Sequence, residues 1–398
     1  MKFFWSQQTL HKLVNFVNIR SKAEHSKAEL GRKTYNGNRI CMEVCMSWED
    51  NVRKVVPYVA GEQPKNLDVI KLNTNENPYP PAPKVAEVIK GFDYDILRKY
   101  PDPDVSALVD ALAKHHGLNR EQMFVGVGSD DVLAISFLTF FNSAKPVLFP
   151  DVTYSFYDVW ADLYRIPYED QPLDDYFCIR KEDYLKENGG IIIANPNAPT
   201  GVASERSVYE EIIRANPDSV VIIDEAYVDF GGESCVPLIE KYDNLLVVQT
   251  FSKSRSMAGM RIGYAMGSKK LIKYLNDVKF SFNSYTMDTI AIAAGVASVE
   301  DEAYFAETTA KVVATRERTK RELARLGFVF PDSKTNFIFA AHKTVPAQEI
   351  FDALQADKIY VRHWNKPRIA NYLRISIGTD EEMDKVLAFL GEYLKDRQ

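Results

Sequence analysis

Cysteine is scarce in this chain. Four occur in 398 residues, Cys41, Cys45, Cys178 and Cys235, and their spacing suggests no disulfide framework. A reducing setting, the cytoplasm, is therefore expected. Cys41 and Cys45 have no second ligand pair, so the four donors of a zinc site are lacking and no metal is expected. Histidine is equally sparse, and His115, His116 and His363 have no ligand spacing. No run approaches the ~18 apolar residues that span a bilayer. Internal repeats and low-complexity tracts are absent. The formal net charge of −6 argues against general nucleic-acid binding and against attachment to an anionic membrane.

What is present is ordinary for a soluble globular protein, 46% hydrophobic and 26% charged. The length exceeds one small core, so two domains are expected. The first 48 residues differ from the rest, with eight Lys or Arg against three Glu. Lacking the apolar core of a secretory signal, residues 1–49 are expected to form a poorly ordered extension, with Met46 as the natural start.

From residue 50 the chain alternates strand and helix patterns. Short strands are expected at Asp68–Leu72 and Met123–Gly128. Continuously apolar runs follow: Pro146-Val147-Leu148-Phe149, Ile191-Ile192-Ile193-Ala194, Val220-Val221-Ile222-Ile223 and Leu245-Leu246-Val247-Val248. Strands of this kind lie in a sheet covered on both faces. Amphipathic helices are expected at Val105–His116 and Val132–Phe141, and a long charged one at Ala303–Leu326. The Pro-rich run at 78–83 reads as an extended arm. Smaller strands at Asn336–Phe339 and Tyr372–Ile377, with helices at Ala347–Gln355 and Glu381–Leu394, mark a second domain. The class is α/β, and each polar motif follows a strand, where open α/β sheets bind ligands.

Four such motifs matter. Val127-Gly128-Ser129-Asp130-Asp131 joins strand to helix and leaves backbone N–H groups free for an anion. Asn195-Pro196-Asn197-Ala198-Pro199-Thr200-Gly201, Asp224-Glu225-Ala226-Tyr227 and Thr250-Phe251-Ser252-Lys253 follow the next strands, with Gly259-Met260-Arg261-Ile262-Gly263 beyond. A lysine amine condenses with an aldehyde. An aspartate keeps a pyridine nitrogen protonated, which makes the ring an electron sink. Tyrosine and asparagine can bond a phenolic oxygen, while serine, threonine and arginine can hold a phosphate. Together these groups suit pyridoxal 5'-phosphate.

In this order the motifs resemble those of fold-type I pyridoxal-phosphate-dependent aminotransferases over about residues 50–395. Asn73-Thr74-Asn75-Glu76-Asn77-Pro78-Tyr79, Lys99-Tyr100-Pro101-Asp102, Asp224–Phe230 and Leu373–Thr379 are similar to the histidinol-phosphate aminotransferase branch. The resemblance implies a large domain, residues 93–300, with a mostly parallel seven-stranded sheet between helices. It also implies an arm at 50–92 and a smaller α+β domain at 301–398.

It further implies roles for residues. Lys253 anchors the cofactor covalently and, once freed, shuttles a proton between substrate and cofactor. Asp224 pairs with the pyridine nitrogen. Tyr227 and Asn197 bond the ring's oxygen, with Asn197 also near substrate. Tyr154 stacks on the ring, though an aromatic there also suits the core. Ser129, Asp130, Thr250, Ser252 and Arg261 form the phosphate cup. Asp130 serves through its backbone, its charged side chain turned away as a helix cap. Tyr100 reaches the cofactor of a neighbouring subunit, which implies a homodimer with shared sites. Arg374 and Arg362 take the substrate's phosphate or carboxylates, although Arg362 could equally be a solvated charge. Tyr79 helps close the site. The segment Ser254-Arg255-Ser256-Met257 departs from the family's usual small or apolar residues, and altered packing is expected near the site's mouth. The implied reaction is amino transfer between histidinol phosphate and 2-oxoglutarate, in histidine biosynthesis. Aromatic amino-acid transfer, threonine-phosphate decarboxylation and a regulator that binds the cofactor without turnover are the alternatives.

Overall fold

A computed structural model describes residues 47–59, 61–65, 68–395 and 397. The expected natural start at Met46 and most of the expected extension lie outside the described residues. The described residues fall into two units, 47–54 and those from Val55 onward. In the first, a short turn at Trp48–Asn51 is capped reciprocally by Ser47 and Asp50.

Within the second unit, β1 (Ile70–Lys71) precedes the Pro-rich arm. Seven strands follow: β2 (Met123–Val127), β3 (Val147–Pro150), β4 (Tyr168–Gln171), β5 (Gly190–Ala194), β6 (Val221–Asp224), β7 (Leu245–Thr250) and β8 (Ile262–Gly267). They form one sheet in the order β2-β8-β7-β6-β5-β3-β4. All run parallel except β8, which is antiparallel to both its neighbours. The apolar runs are continuous because both faces are covered. Ile191, Ile193, Val221 and Ile223 pack on one side against helices Ser106–His116 and Thr289–Val299. Ile192, Ile222 and Leu246 pack on the other against helices Gly128–Phe140 and Lys269–Phe282.

The C-terminal strands are β9 (Phe328–Val329), β10 (Phe337–His342), β11 (Ile359–Tyr360), β12 (Arg362–His363) and β13 (Leu373–Ser376). Four of them make an antiparallel sheet, β12-β13-β10-β9, and β1 pairs in parallel with β11. Helix Asp380–Leu394 covers this sheet through Met383, Val386 and Leu390. Its start is fixed by Thr379 and Glu382, which bond each other's backbone N–H groups. The longest helix, Glu302–Arg325, leads into these strands. Among the described residues no helix is long and apolar enough to cross a membrane.

Helix Gly128–Phe140 begins four residues before the expected Val132. Gly128, at φ +84°, takes the sharp turn out of β2, which lets Ser129 and Asp130 join the first helical turn.

Candidate active site

The motif residues gather at the C-terminal ends of the parallel strands, Asp224 closing β6 and Thr250 closing β7. Because β8 runs backward, its first residues lie at this same edge. Thr250 at the end of β7 is the register partner of Gly263. A side chain on Gly263 would overlap the backbone of Gly128 and Ser129, so this glycine permits close contact between β8 and the helix start. Arg261, at φ +54°, directs its Nη2 to Asp130 Oδ2 at 3.2 Å. Tyr154 donates its hydroxyl to Asp130 Oδ1 at 2.7 Å. Thr250 and Ser252 meet through their hydroxyls at 3.1 Å.

One expectation needs correction here. The Asp130 side chain does not turn away as a cap, because Arg261 and Tyr154 both donate to it and offset its charge. Asp131 takes the capping role instead, its Oδ2 accepting Val127 N–H at 2.9 Å.

Lys253 stands at the centre. Its Nζ donates to the Thr74 carbonyl at 3.2 Å and lies 5.7 Å from the centre of the Tyr227 ring. The backbone carbonyls of Lys253 and Ser254 accept from Asn77 Nδ2. Asn75 Nδ2 donates to the Tyr227 hydroxyl at 2.8 Å. The segment 73–77 thus braces both residues, a role the sequence motif carried without revealing.

Asp224 is 5% exposed at the end of β6. Its Oδ2 accepts from the Tyr157 hydroxyl at 2.8 Å and its Oδ1 from Ala226 N–H at 3.2 Å. Burial pushes its pKa up to about 6, while these hydrogen bonds and Lys253 pull the other way. Among the described residues no cationic side chain bonds Asp224, so a buried carboxylate is left with room for a positive partner. A protonated pyridine nitrogen meets that need. The anion cup with its glycine-permitted close contact, the lysine amine and this carboxylate together fit pyridoxal phosphate. Tyr157, fully buried, was not anticipated, and nothing local in the sequence signals its role.

Asn197 is engaged within the protein. Its Nδ2 donates to Val152 O at 2.9 Å and Thr200 Oγ1 at 3.0 Å, and its Oδ1 accepts from Thr153 Oγ1 at 2.8 Å. Donation to a ring oxygen requires release of one of the first two.

On the substrate side, Arg362 and Arg374 are direct partners across β12 and β13. Arg374 Nη2 donates to Asn73 O at 2.9 Å, and its Nε is buried without a partner. Tyr58 stacks on Phe156 at 4.2 Å, and Arg362 reaches the neighbouring Val59 carbonyl at 3.4 Å. The arm before β1 therefore passes over this end of the site. Tyr79 sits apart, against the small-sheet core with its ring 5.5 Å from Lys311 Nζ. Tyr100 is 83% exposed and stacks on Tyr285 at 4.6 Å, away from this chain's own lysine cluster.

Arg255 lies in the segment expected to alter packing near the site's mouth. It is buried behind the lysine loop, donates to Ser298 O at 2.8 Å, and lies over the rings of Phe251 and Phe305. Its long stem fills apolar space while its head is satisfied by a carbonyl.

The sequence profile of the family described as aminotransferase class I and II matches residues 67–390. The chain is 57% identical over 353 residues to a histidinol-phosphate aminotransferase of Lactococcus lactis subsp. cremoris (strain MG1363), covering 89% of this chain and 99% of that one. It is 52% identical over 337 residues to a histidinol-phosphate aminotransferase of Clostridium botulinum (strain Okra / Type B1), covering 85% and 95%. The crystal structure of histidinol-phosphate aminotransferase from Sinorhizobium meliloti in complex with pyridoxal-5'-phosphate superposes with a TM-score of 0.76 at 26% identity, covering 83% and 92%. The fold, the residues gathered at the strand ends and these likenesses agree: the chain belongs to the aminotransferase class I and II family.

Proposed function

We propose that this protein is a transaminase that moves an amino group between histidinol phosphate and 2-oxoglutarate, giving imidazole acetol phosphate and L-glutamate in histidine biosynthesis. The observation that carries this reading is its identity, over nearly nine tenths of its length, with relatives of that name. The paired guanidiniums of Arg362 and Arg374 agree with it, because a phosphate dianion is matched by two forked donors.

Pyridoxal 5'-phosphate is the cofactor; when bound it supplies an aldehyde that takes up the amine and a ring that draws electron density from the substrate carbon. Lys253 holds its amine beside Thr74 O and serves as the base and acid at the substrate's α-carbon. Asp224, supported by the Tyr157 hydroxyl, keeps a proton on the ring nitrogen. Tyr227, braced by Asn75, and Asn197 address the ring oxygen, with Tyr154 against the ring. Ser129 and Asp130 by their N–H groups, with Thr250, Ser252 and Arg261, hold the cofactor phosphate. Arg374 and Arg362 orient the substrate's anionic end, and Tyr79 borders the closing arm.

We also read the protein as a cytoplasmic homodimer. The exposed aromatics Tyr94, Tyr100 and Tyr285 support a contact with a second copy, into whose site Tyr100 extends. The division into an arm at 50–92, a large domain at 93–300 and a small one at 301–398 follows the separation of the two larger sheets.

Steady-state assays with histidinol phosphate, phenylalanine and threonine phosphate test the substrate. Histidinol phosphate is expected to give the highest kcat/KM; a higher value for either of the others overturns the assignment in favour of that substrate. Lys253→Ala is expected to remove turnover and the visible absorbance of bound cofactor together.

A further inference from the structure

We propose that Trp364 is a positioning residue for the substrate's anionic end, holding Arg362 and Arg374 in register without neutralising them. This rests on the phosphate-recognition reading above. The two arginines stand directly opposite each other, where like charges repel. Neither is ion-paired with a carboxylate among the described residues, and Arg374 Nε has no partner at all. Left to themselves, two long side chains in this position would spread apart and sample many rotamers.

The indole counters both tendencies. The Arg362 guanidinium lies 5.3 Å from the Trp364 ring centre and that of Arg374 lies 5.1 Å from it. Phe337 supports Arg374 from a second direction at 5.4 Å. An aromatic face attracts a guanidinium through its quadrupole. A carboxylate would restrain the arginines equally well, but it would occupy the same donors that a phosphate needs and would repel the dianion. An aromatic brace leaves those donors free and meets part of the ordering cost before the ligand arrives.

Trp364 is itself fixed. It packs on an apolar cluster that includes Val152 and Phe339, shared between the β3 end and β10. The loop that carries it is tied down by Arg368, whose Nη1 pairs with Asp151 Oδ2 at 2.5 Å and whose Nη2 donates to the carbonyls of Leu173 and Asp174. The brace is thus anchored to the same segment, 151–154, that carries Tyr154.

The test compares Trp364→Leu, Trp364→Met and Trp364→Phe with the parent, all loaded with cofactor so that the cofactor's own phosphate cup is filled. Calorimetric titration with inorganic phosphate reads the anion site directly. The two non-aromatic variants are expected to bind phosphate about tenfold more weakly, equivalent to ~1.4 kcal/mol. Their KM for histidinol phosphate should rise in step, with kcat within about twofold and the cofactor's absorbance unchanged. Trp364→Phe is expected to stay within about threefold of the parent. Either non-aromatic variant suffices if the other fails to fold. Parent-like phosphate binding in a non-aromatic variant, or a Phe variant as weak as the Leu one, overturns the assignment to Trp364 alone. A parent that neither binds phosphate nor uses histidinol phosphate overturns the substrate reading as well.

Discussion

Arg362 and Arg374 face each other as register partners across β12 and β13, two positive groups in a place where a protein normally sets opposite charges. Arg374→Ala is expected to lower kcat/KM for histidinol phosphate by about 100-fold or more, the scale of losing a desolvated charge-assisted contact. Arg362, more open to water, should matter less. Without ligand, Arg362→Ala should melt slightly above the parent because the repulsion is gone. Added phosphate should raise the melting temperature of the parent and leave the variant little changed. Differential scanning calorimetry with and without phosphate checks both statements.

Asp224 makes stability depend on pH in a definite direction. In the cofactor-free protein its pKa stands at about 6 against an ordinary 3.8. A raised carboxyl pKa means that the folded state favours the protonated form. Its full contribution is present below the ordinary value and is lost as pH rises through about 6. Relative to Asp224→Asn, the cofactor-free protein should therefore lose about 3 kcal/mol between pH ~4 and ~7. Other buried acids, such as Glu225, are common to both proteins and cancel in the difference. Bound cofactor should reverse the order, making the parent the more stable of the two. Urea unfolding across this range measures both effects, and a pH-independent difference would refute the assignment.

Tyr157→Phe removes one hydroxyl bonded to Asp224 Oδ2 and little volume. A buried acceptor left without its donor costs about 1–3 kcal/mol, and the carboxyl pKa should climb further. The ring nitrogen would then hold its proton less firmly. A drop in kcat of about tenfold or more with KM nearly unchanged is expected. Equal kcat in the two proteins would show that Ala226 N–H alone supports Asp224.

Gly263→Ala should cost more than its single methyl suggests. The added carbon would overlap the Gly128 and Ser129 backbone, so either β8 or the helix start must shift. Overpacking of this kind costs about 1–3 kcal/mol, and the shift would fall on the phosphate cup. The cofactor dissociation constant, followed by absorbance on dilution, should rise by at least about tenfold.

Much of this site was readable in sequence because its residues follow apolar strands, and a strand end fixes both place and direction. Lys253 and Asp224 belong to that class, while Arg261 just before β8 reaches the same edge because that strand runs backward. The orientation of Asp130 was not readable, since it depends on Tyr154 and Arg261, residues 24 and 131 positions away. Tyr157 carried no signal in sequence, because nothing local says that its hydroxyl meets a carboxylate 67 positions away. The surroundings of Arg255 were not readable, since sequence does not reveal that a carbonyl and two rings await it. Trp364 was passed over inside a basic stretch, although that stretch contains both the brace and the Arg368 tie. The helix beginning at Gly128 rather than Val132 shows how one glycine at positive φ moves a boundary that propensity alone would set later.

The reversed strand β8 has one more consequence. Since Thr250 pairs with Gly263, a single hairpin-like excursion of the chain, residues 251–262, carries both residues proposed to grip the cofactor, Lys253 covalently and Arg261 ionically. Lengthening or trimming this excursion would disturb both grips together.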